Sequence, residues 1–292
     1  AQPTPPHLHP ALTPASADAG PRAIANDPLG MGRADKPTEI DSYSYLGHNE
    51  RLQQFVEELE LTDINLFAQD WGSLIGLRTA GLDPDRYATI TIGDGALPEL
   101  PAGAQPFPVV ENPDETVQME ALFAEMPDQQ PPFYDGCELL LDATEGGGYF
   151  GTWMAYAMTA ESFHASEVVE AMTWFDLPDD VEAAYDAPFP SRIYMAGPRT
   201  FPSLVNEVPG TTEEAWVGLR DFDKPFLTLW ASNDPGNLGS CQTQQNLIDQ
   251  VPGAEGQPHD RLPESSHFLQ DDQGEEIARR MVDWLNSMNG EE

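Results

Sequence analysis

A chain of 292 residues with 40% hydrophobic residues is long enough to bury a sizeable core and too apolar to be a disordered polymer. Its 50 acidic and 13 basic side chains give a formal net charge of −37, which excludes nucleic-acid binding through a general basic surface. No apolar run approaches the roughly 18 residues a membrane span needs, and Cys137 and Cys241 are too few for a disulfide framework and lack metal-ligand spacing.

The opening residues, AQPTPPHLHPALTPASADAG, lack a basic stretch followed by an apolar one, so no secretory leader is expected and the chain reads as cytoplasmic. His7 and His9 stand in this proline-rich start, and two histidines alone do not make a metal site. Residues 21–27, PRAIAND, read as a short strand. The loop 27–37 holds Gly30 and Gly32 but not the third glycine of a dinucleotide fingerprint, and Pro37 would interrupt the helix that follows one. Residues 42–60 have helical spacing, with Leu46, Leu52, Phe55, Val56 and Leu59 on one side and His48 facing outward. A strand at 64–68, a helix at 73–81 and a strand at 88–93 follow, a β-turn-α-β unit at parallel-sheet spacing.

The character changes after Leu97. Residues 98–135 are rich in proline and acid, and Glu145-Gly146-Gly147-Gly148 reads as a flexible joint. Residues 150–185 look helical, with aromatics at Phe150, Trp153, Tyr156, Phe163, Trp174 and Tyr185. The α/β alternation then resumes with a helix at 213–221, a strand at Phe226–Ala231, a helix at 242–250 and a short strand near 257–262. The last helix, 275–288, places Ile277, Met281, Trp284, Leu285 and Met288 along one face. The expected organisation is a core of 1–97 and 212–292, interrupted by an insertion at 98–211.

Open α/β sheets bind ligands at the carboxyl ends of their strands. Three such loops carry distinctive polar residues: 70–72, 232–236 and 263–268. Asp70, in FAQDWGSLIG, occupies the centre of a nucleophile-elbow pattern, with small residues Ala68 and Gly72 two positions either side. Asp234 lies in WASNDPG and His267 in PESSHFLQDD, so nucleophile, acid and base come in chain order. Each has a structural role open to it: helix cap for Asp70, turn former for Asp234, loop residue for His267. An Asp nucleophile displaces a leaving group from an sp³ carbon and leaves an ester. His267 would activate the water that hydrolyses this ester, and Asp234 would hold the imidazole tautomer. The leaving group is then a halide or an epoxide oxygen. The indole N–H of Trp71 is a donor with no acceptor function, suited to a departing halide; core packing is its other role.

These residues resemble the haloalkane dehalogenases of the α/β-hydrolase superfamily. The similarity covers most of the chain and includes DPLGMGRADKP, LTDINLFAQDWGSLIGL, AYDAPFP with YMAGPRTFP, DKPFLTLWASNDP and SSHFLQDDQGEEIA. Gln69 before the nucleophile favours dehalogenases; related epoxide hydrolases usually carry His there. The resemblance implies an α/β-hydrolase fold, mostly parallel sheet flanked by helices, with a helical cap inserted after the strand ending near residue 93. It implies Asp70 as nucleophile, His267 as base and Asp234 as acid. Trp71 would bind halide through its indole and serve the oxyanion hole through its backbone N–H. The expected partners are a small halogenated organic substrate, water and halide, with no metal, organic cofactor, nucleic acid or membrane, in a monomer or small homo-oligomer.

Ala1-Gln2-Pro3-Thr4 looks like the family's His-Gly-x-Pro-Thr loop without His-Gly, which makes Gln2 the second oxyanion donor and the first strands missing. Asp94 stands where some relatives place the triad acid and rivals Asp234. Trp174 lies within one residue of the place of a cap Trp that serves as second halide donor, with Trp153 as alternative. Residues 98–147 are longer than the family's usual connection. Two other readings stay open: an epoxide hydrolase using Tyr149, Tyr156 or Tyr185 as acid, and an inactive relative. The carboxylates are spread along the whole chain, and their mutual repulsion fits a protein adapted to a salt-rich cytoplasm.

Overall fold

The computed structural model describes residues 22–107, 148–234 and 236–289. Strands β1 (Ile64–Gln69), β2 (Tyr87–Gly93), β3 (Phe226–Ala231) and β4 (Asp260–Leu262) lie side by side in chain order. All three pairings are parallel. β3 is buried at every position, the apolar run expected of a parallel strand covered on both faces. Its side chains alternate between two cores. Phe226 and Trp230 point to one, Leu227, Leu229 and Ala231 to the other.

Helices α1 (Tyr45–Glu58) and α2 (Trp71–Leu82) flank β1 in sequence. Helices α3 (Gly148–Thr159), α4 (Ala165–Glu170), α5 (Asp179–Asp186) and α6 (Ala196–Thr200) make the helical layer over the strand ends. Then come α7 (Glu213–Arg220), α8 (Cys241–Gln250) and α9 (Leu269–Asn289). α2, α7 and α8 cover the Trp230 face through Leu77, Trp216 and Leu247, while α9 covers the other through Ile277, Met281 and Trp284. A third core joins Trp71 and Phe268 to cap residues Tyr156, Phe163, Val169, Tyr185 and Phe201. No described helix is long and apolar enough to cross a membrane.

α2 and α7 cross in backbone contact. A Cβ on Gly81 would lie 2.1 Å from the Ala215 carbonyl oxygen, and one on Gly218 would lie 2.0 Å from that of Gly81. Only glycine permits this approach.

Several expectations are corrected. Residues 22–27 form no strand. No described strand pairs with the segment, and isolated extended chain gains nothing from strand geometry. Instead Asp27 turns the loop by accepting the Arg33 backbone N–H at 3.0 Å. α1 is rotated from its expected phase. Tyr45, His48, Asn49 and Val56 are buried, whereas Leu46 and Leu59 are exposed. His48 therefore faces inward, its ring tilted against Phe201 at 4.4 Å, and burial, then Arg51, pushes its pKa down to about 4. The single helical region at 150–185 is three helices with breaks at 160–164 and 171–178. α9 begins six residues before the expected 275, with non-helical backbone at Gln273 marking the junction.

Candidate active site

β1 delivers Asp70 onto a strained turn, with φ 51° and ψ −126°, outside the backbone region most L-residues adopt. The turn is pinned on both sides. The Asp70 N–H donates to the Asp94 carbonyl at 3.1 Å, and the Ser73 hydroxyl donates to the Asp70 carbonyl at 2.6 Å. Although Asp70 precedes α2, its side chain makes no capping hydrogen bond. The carboxylate is left for other partners.

The loop after β4 delivers His267. Its backbone is anchored from several directions. Ser265 Oγ donates to Leu262 O at 2.8 Å, Asn233 N to Ser265 O at 3.1 Å, and Gln69 Nε2 to His267 O at 3.0 Å. The loop after β3 delivers Asp234, whose side chain is fully buried. The imidazole spans the two carboxylates: Nδ1 lies 2.8 Å from Asp234 Oδ2, and Nε2 lies 3.8 Å from Asp70 Oδ2. The first is a hydrogen bond; the second is too long for one and is an electrostatic contact.

The charges are mutually dependent. Burial works to lower the His267 pKa, but the Asp234 charge and hydrogen bond, with Asp70 behind them, raise it well above the ordinary value. Burial works to raise Asp70, but His267 outweighs it, and the Trp71 backbone N–H adds to the effect, so the carboxyl is held below the usual value. Each partner thus favours the charged form of the other.

Asp94, the rival acid, ends β2 close by but does not contact the imidazole. Its Oδ1 accepts the Ala231 N–H at 2.9 Å, and its buried Oδ2 has no hydrogen-bond partner among the described residues. Burial, then the Asp234 charge, pushes its pKa well up.

Trp71 packs its ring edge-on to Phe201 at 5.3 Å and tilted to Tyr45 at 6.4 Å. Trp153 belongs to the cap's aromatic stack, 6.0 Å from Tyr156 and 5.9 Å from Phe163. Trp174 is half-buried in the break between α4 and α5, its backbone N–H donating to Asp272 Oδ1 at 2.8 Å. Tyr185 commits its hydroxyl to Asp271 at 2.7 Å, and burial and that carboxylate push its pKa up, which removes it as an acid toward an opening epoxide. Gln2, residues 108–147 and the Tyr149 side chain lie outside the described residues.

Sequence reasoning missed Asn233, Gln270 and Asp272. Gln270 Nε2 donates to Gln69 Oε1 at 3.4 Å, and Asp272 accepts the Ser266 N–H at 2.8 Å. For Gln270 and Asp272 the one available signal was the polar run 270–273, just past His267.

A family model described as alpha/beta hydrolase fold matches residues 6–131. Haloalkane dehalogenase 1 of Mycobacterium tuberculosis is 38% identical over 97% of this chain and 81% of its own. A haloalkane dehalogenase of Psychrobacter cryohalolentis is 32% identical over 96% of this chain and 79% of its own. Among solved structures, a tetrameric haloalkane dehalogenase from Paraglaciecola agarilytica superposes with a TM-score of 0.72 at 22% identity, covering 96% of this chain and 80% of that one. With the strand-end carboxylates and histidine in place and near-full-length relatives at this identity, the chain belongs to the haloalkane dehalogenase family of the α/β-hydrolase fold.

Proposed function

We propose that the protein hydrolyses a small haloalkane to alcohol, halide and proton through an ester on Asp70. The observation that carries this is the imidazole of His267, seated 2.8 Å from Asp234 and 3.8 Å from Asp70, in the loops that follow β4, β3 and β1. An Asp70 oxygen attacks the carbon, a C–O bond forms, and the C–X bond breaks with its electron pair leaving on the halide. The Trp71 indole N–H, which no described residue takes up, and Trp174 receive the halide. Water then attacks the ester carbonyl while His267 Nε2 takes its proton, and the intermediate collapses to alcohol and the Asp70 carboxylate. The proton taken from water restores the imidazolium, and the net proton of the reaction is the one that His267 gives to solvent once the ester has formed.

The two half-reactions place opposite demands on His267, and the pairing meets both. In the resting site an imidazolium faces the Asp70 charge. Ester formation neutralises that carboxylate and removes one of the influences that raise the His267 pKa. The imidazole is thereby released to act as base when hydrolysis begins. Asp234 stays behind it to hold the tautomer and stabilise the cation that reforms. The Trp71 backbone N–H, with Gln2, is assigned to the oxyanion that develops on the ester. Residues 98–211 are assigned as the cap domain.

The test has two arms. Halide release from a panel of haloalkanes should be catalytic in the protein. His267→Phe should stop turnover and accumulate an alkyl ester on Asp70, read as added mass on the peptide containing it. Absence of both halide release and added mass would overturn the assignment.

A further inference from the structure

One carboxylate links the cap to the loop that carries the base. Asp272, in the first turn of α9, accepts the Ser266 N–H on Oδ2 at 2.8 Å. Its Oδ1 accepts the N–H groups of Trp174 at 2.8 Å and Phe175 at 3.2 Å. Ser266 is the residue before His267, and Trp174 lies in the break between α4 and α5. Two further bonds cross the same seam: Phe268 N to Met172 O at 3.2 Å, and the Tyr185 hydroxyl to Asp271 at 2.7 Å. Of these groups, Asp272 alone holds both sides through a single side chain.

We propose that Asp272 is a positioning residue that fixes the cap segment 172–175 in register with the catalytic loop 265–268. It touches neither substrate nor reacting atoms and acts through His267 on one side and Trp174 on the other; the inference rests on the roles proposed for those two residues. Its chemistry suits the task. An ionised carboxylate is acceptor-only, with about four lone-pair sites on two oxygens, so it takes N–H donors from two directions at once. An amide of the same shape cannot: it presents an acceptor to one side and a donor to the other. Protonation has the same consequence as amidation. The titratable groups that bear on Asp272 are Glu170 and Tyr185 of the cap and Asp271 of its own helix. Burial, against the three N–H bonds and with Glu170 adding to it, pushes Asp272 up to about 6. Asp271 is pushed up to about 7, first by burial. The link therefore releases on the acid side of neutrality. The sign for global stability is opposite, because a carboxyl raised above its unfolded value of 3.8 favours the folded state when protonated.

The test compares wild type with Asp272→Asn at pH 8. The variant is expected to lower kcat about tenfold, as base misplacement slows ester hydrolysis, with alkyl-Asp70 visible by mass during steady-state turnover. Loss of folded protein alone would reduce rate without raising the alkylated fraction per folded molecule. If Asp272→Asn does not fold, amide hydrogen exchange on wild type decides: corrected for intrinsic rates, protection of Ser266, Trp174 and Phe175 should fall between pH 8 and pH 5 while the melting temperature does not track it. Unchanged kcat and ester occupancy in a folded variant, or, if it does not fold, pH-independent protection of those amides, would overturn the proposal. Failure of the triad itself shows separately, as absence of the trapped ester in His267→Phe.

Discussion

Asp70 and Asp94 end neighbouring strands, and both hold positive φ, 51° and 34°. They differ in what their side chains meet. Asp70 faces an imidazole, which holds its pKa below the usual value; Asp94 is enclosed beside a second carboxylate, and burial, then that charge, pushes its pKa well up. Asp94→Asn keeps the acceptor for the Ala231 N–H and removes the cost of ionisation. Asp94 contributes stability when protonated, and that contribution is lost as pH rises through its raised folded value. The variant should therefore melt above wild type at pH 8, with the difference vanishing below the unfolded value of 3.8, and should retain turnover. Asp234→Asn removes the partner of Nδ1 and should lower kcat by roughly 10³–10⁴-fold, the scale on which a wrong imidazole tautomer acts. Steady-state kinetics on the two variants separates the acids; inversion of the result would exchange their roles. Asp70→Asn should lower the His267 pKa, read by NMR titration of the ring, because it deletes a charge that raises it. His267 adds stability below its unfolded value of 6.5 and loses it as pH climbs through the folded value. Asp70 adds stability above 3.8 and loses it as pH falls through its lowered folded value.

At the scale of elements, periodicity carried the reading where packing is apolar and lost it where packing is polar. The α9 face was legible because Ile277, Met281 and Trp284 recur at helical spacing against β3. The α1 face was not, because two of its buried residues are polar. Asn49 bonds back to the Tyr45 carbonyl at 2.8 Å, and His48 is enclosed by Tyr43 and Phe201. Nor was the failed strand at 22–27 legible, since pairing depends on what lies next to a segment in space. The candidate triad was readable because elbow, turn and loop each have local signatures in chain order. Asp272 was not, because Trp174, one of its partners, is 98 residues away. The α2–α7 crossing is likewise invisible in sequence and sharply testable. Gly81→Ala would gain helix propensity of about 1 kcal/mol but drives a methyl to 2.1 Å from a carbonyl oxygen. Backbone must shift, and overpacking of this kind costs about 1–3 kcal/mol. Denaturant melts should show net destabilisation, and a stabilised variant would mean the helices separate freely.

For the whole molecule, the net charge of −37 is the dominant long-range force. The screening length falls from about 10 Å at 0.1 M salt to about 3 Å at 1 M. The melting temperature should therefore rise from low to molar KCl; a midpoint that does not rise would remove the inference of a salt-adapted protein. The scarce cations are deployed with a pattern. Arg280 bridges Glu276 of its own helix and Asp260 of β4. Arg261 reaches the carbonyls of Ala231 at 2.9 Å and Gly239 at 2.7 Å, and Arg78 that of Thr211 at 2.9 Å. Lys224, one of the two lysines, sets its ammonium among the carbonyls of Pro84, Asp85 and Tyr87 at 3.1, 3.3 and 2.8 Å. That lysine is a counter-ion on a leash. A dissolved cation leaves a carbonyl nest when the medium is diluted; an ammonium tethered through the chain stays at constant local concentration. The foot of the sheet, where β2 and β3 begin, is therefore insulated from ionic strength. In dilute buffer the molecule should come apart from its acidic periphery inward, with that corner the last to open.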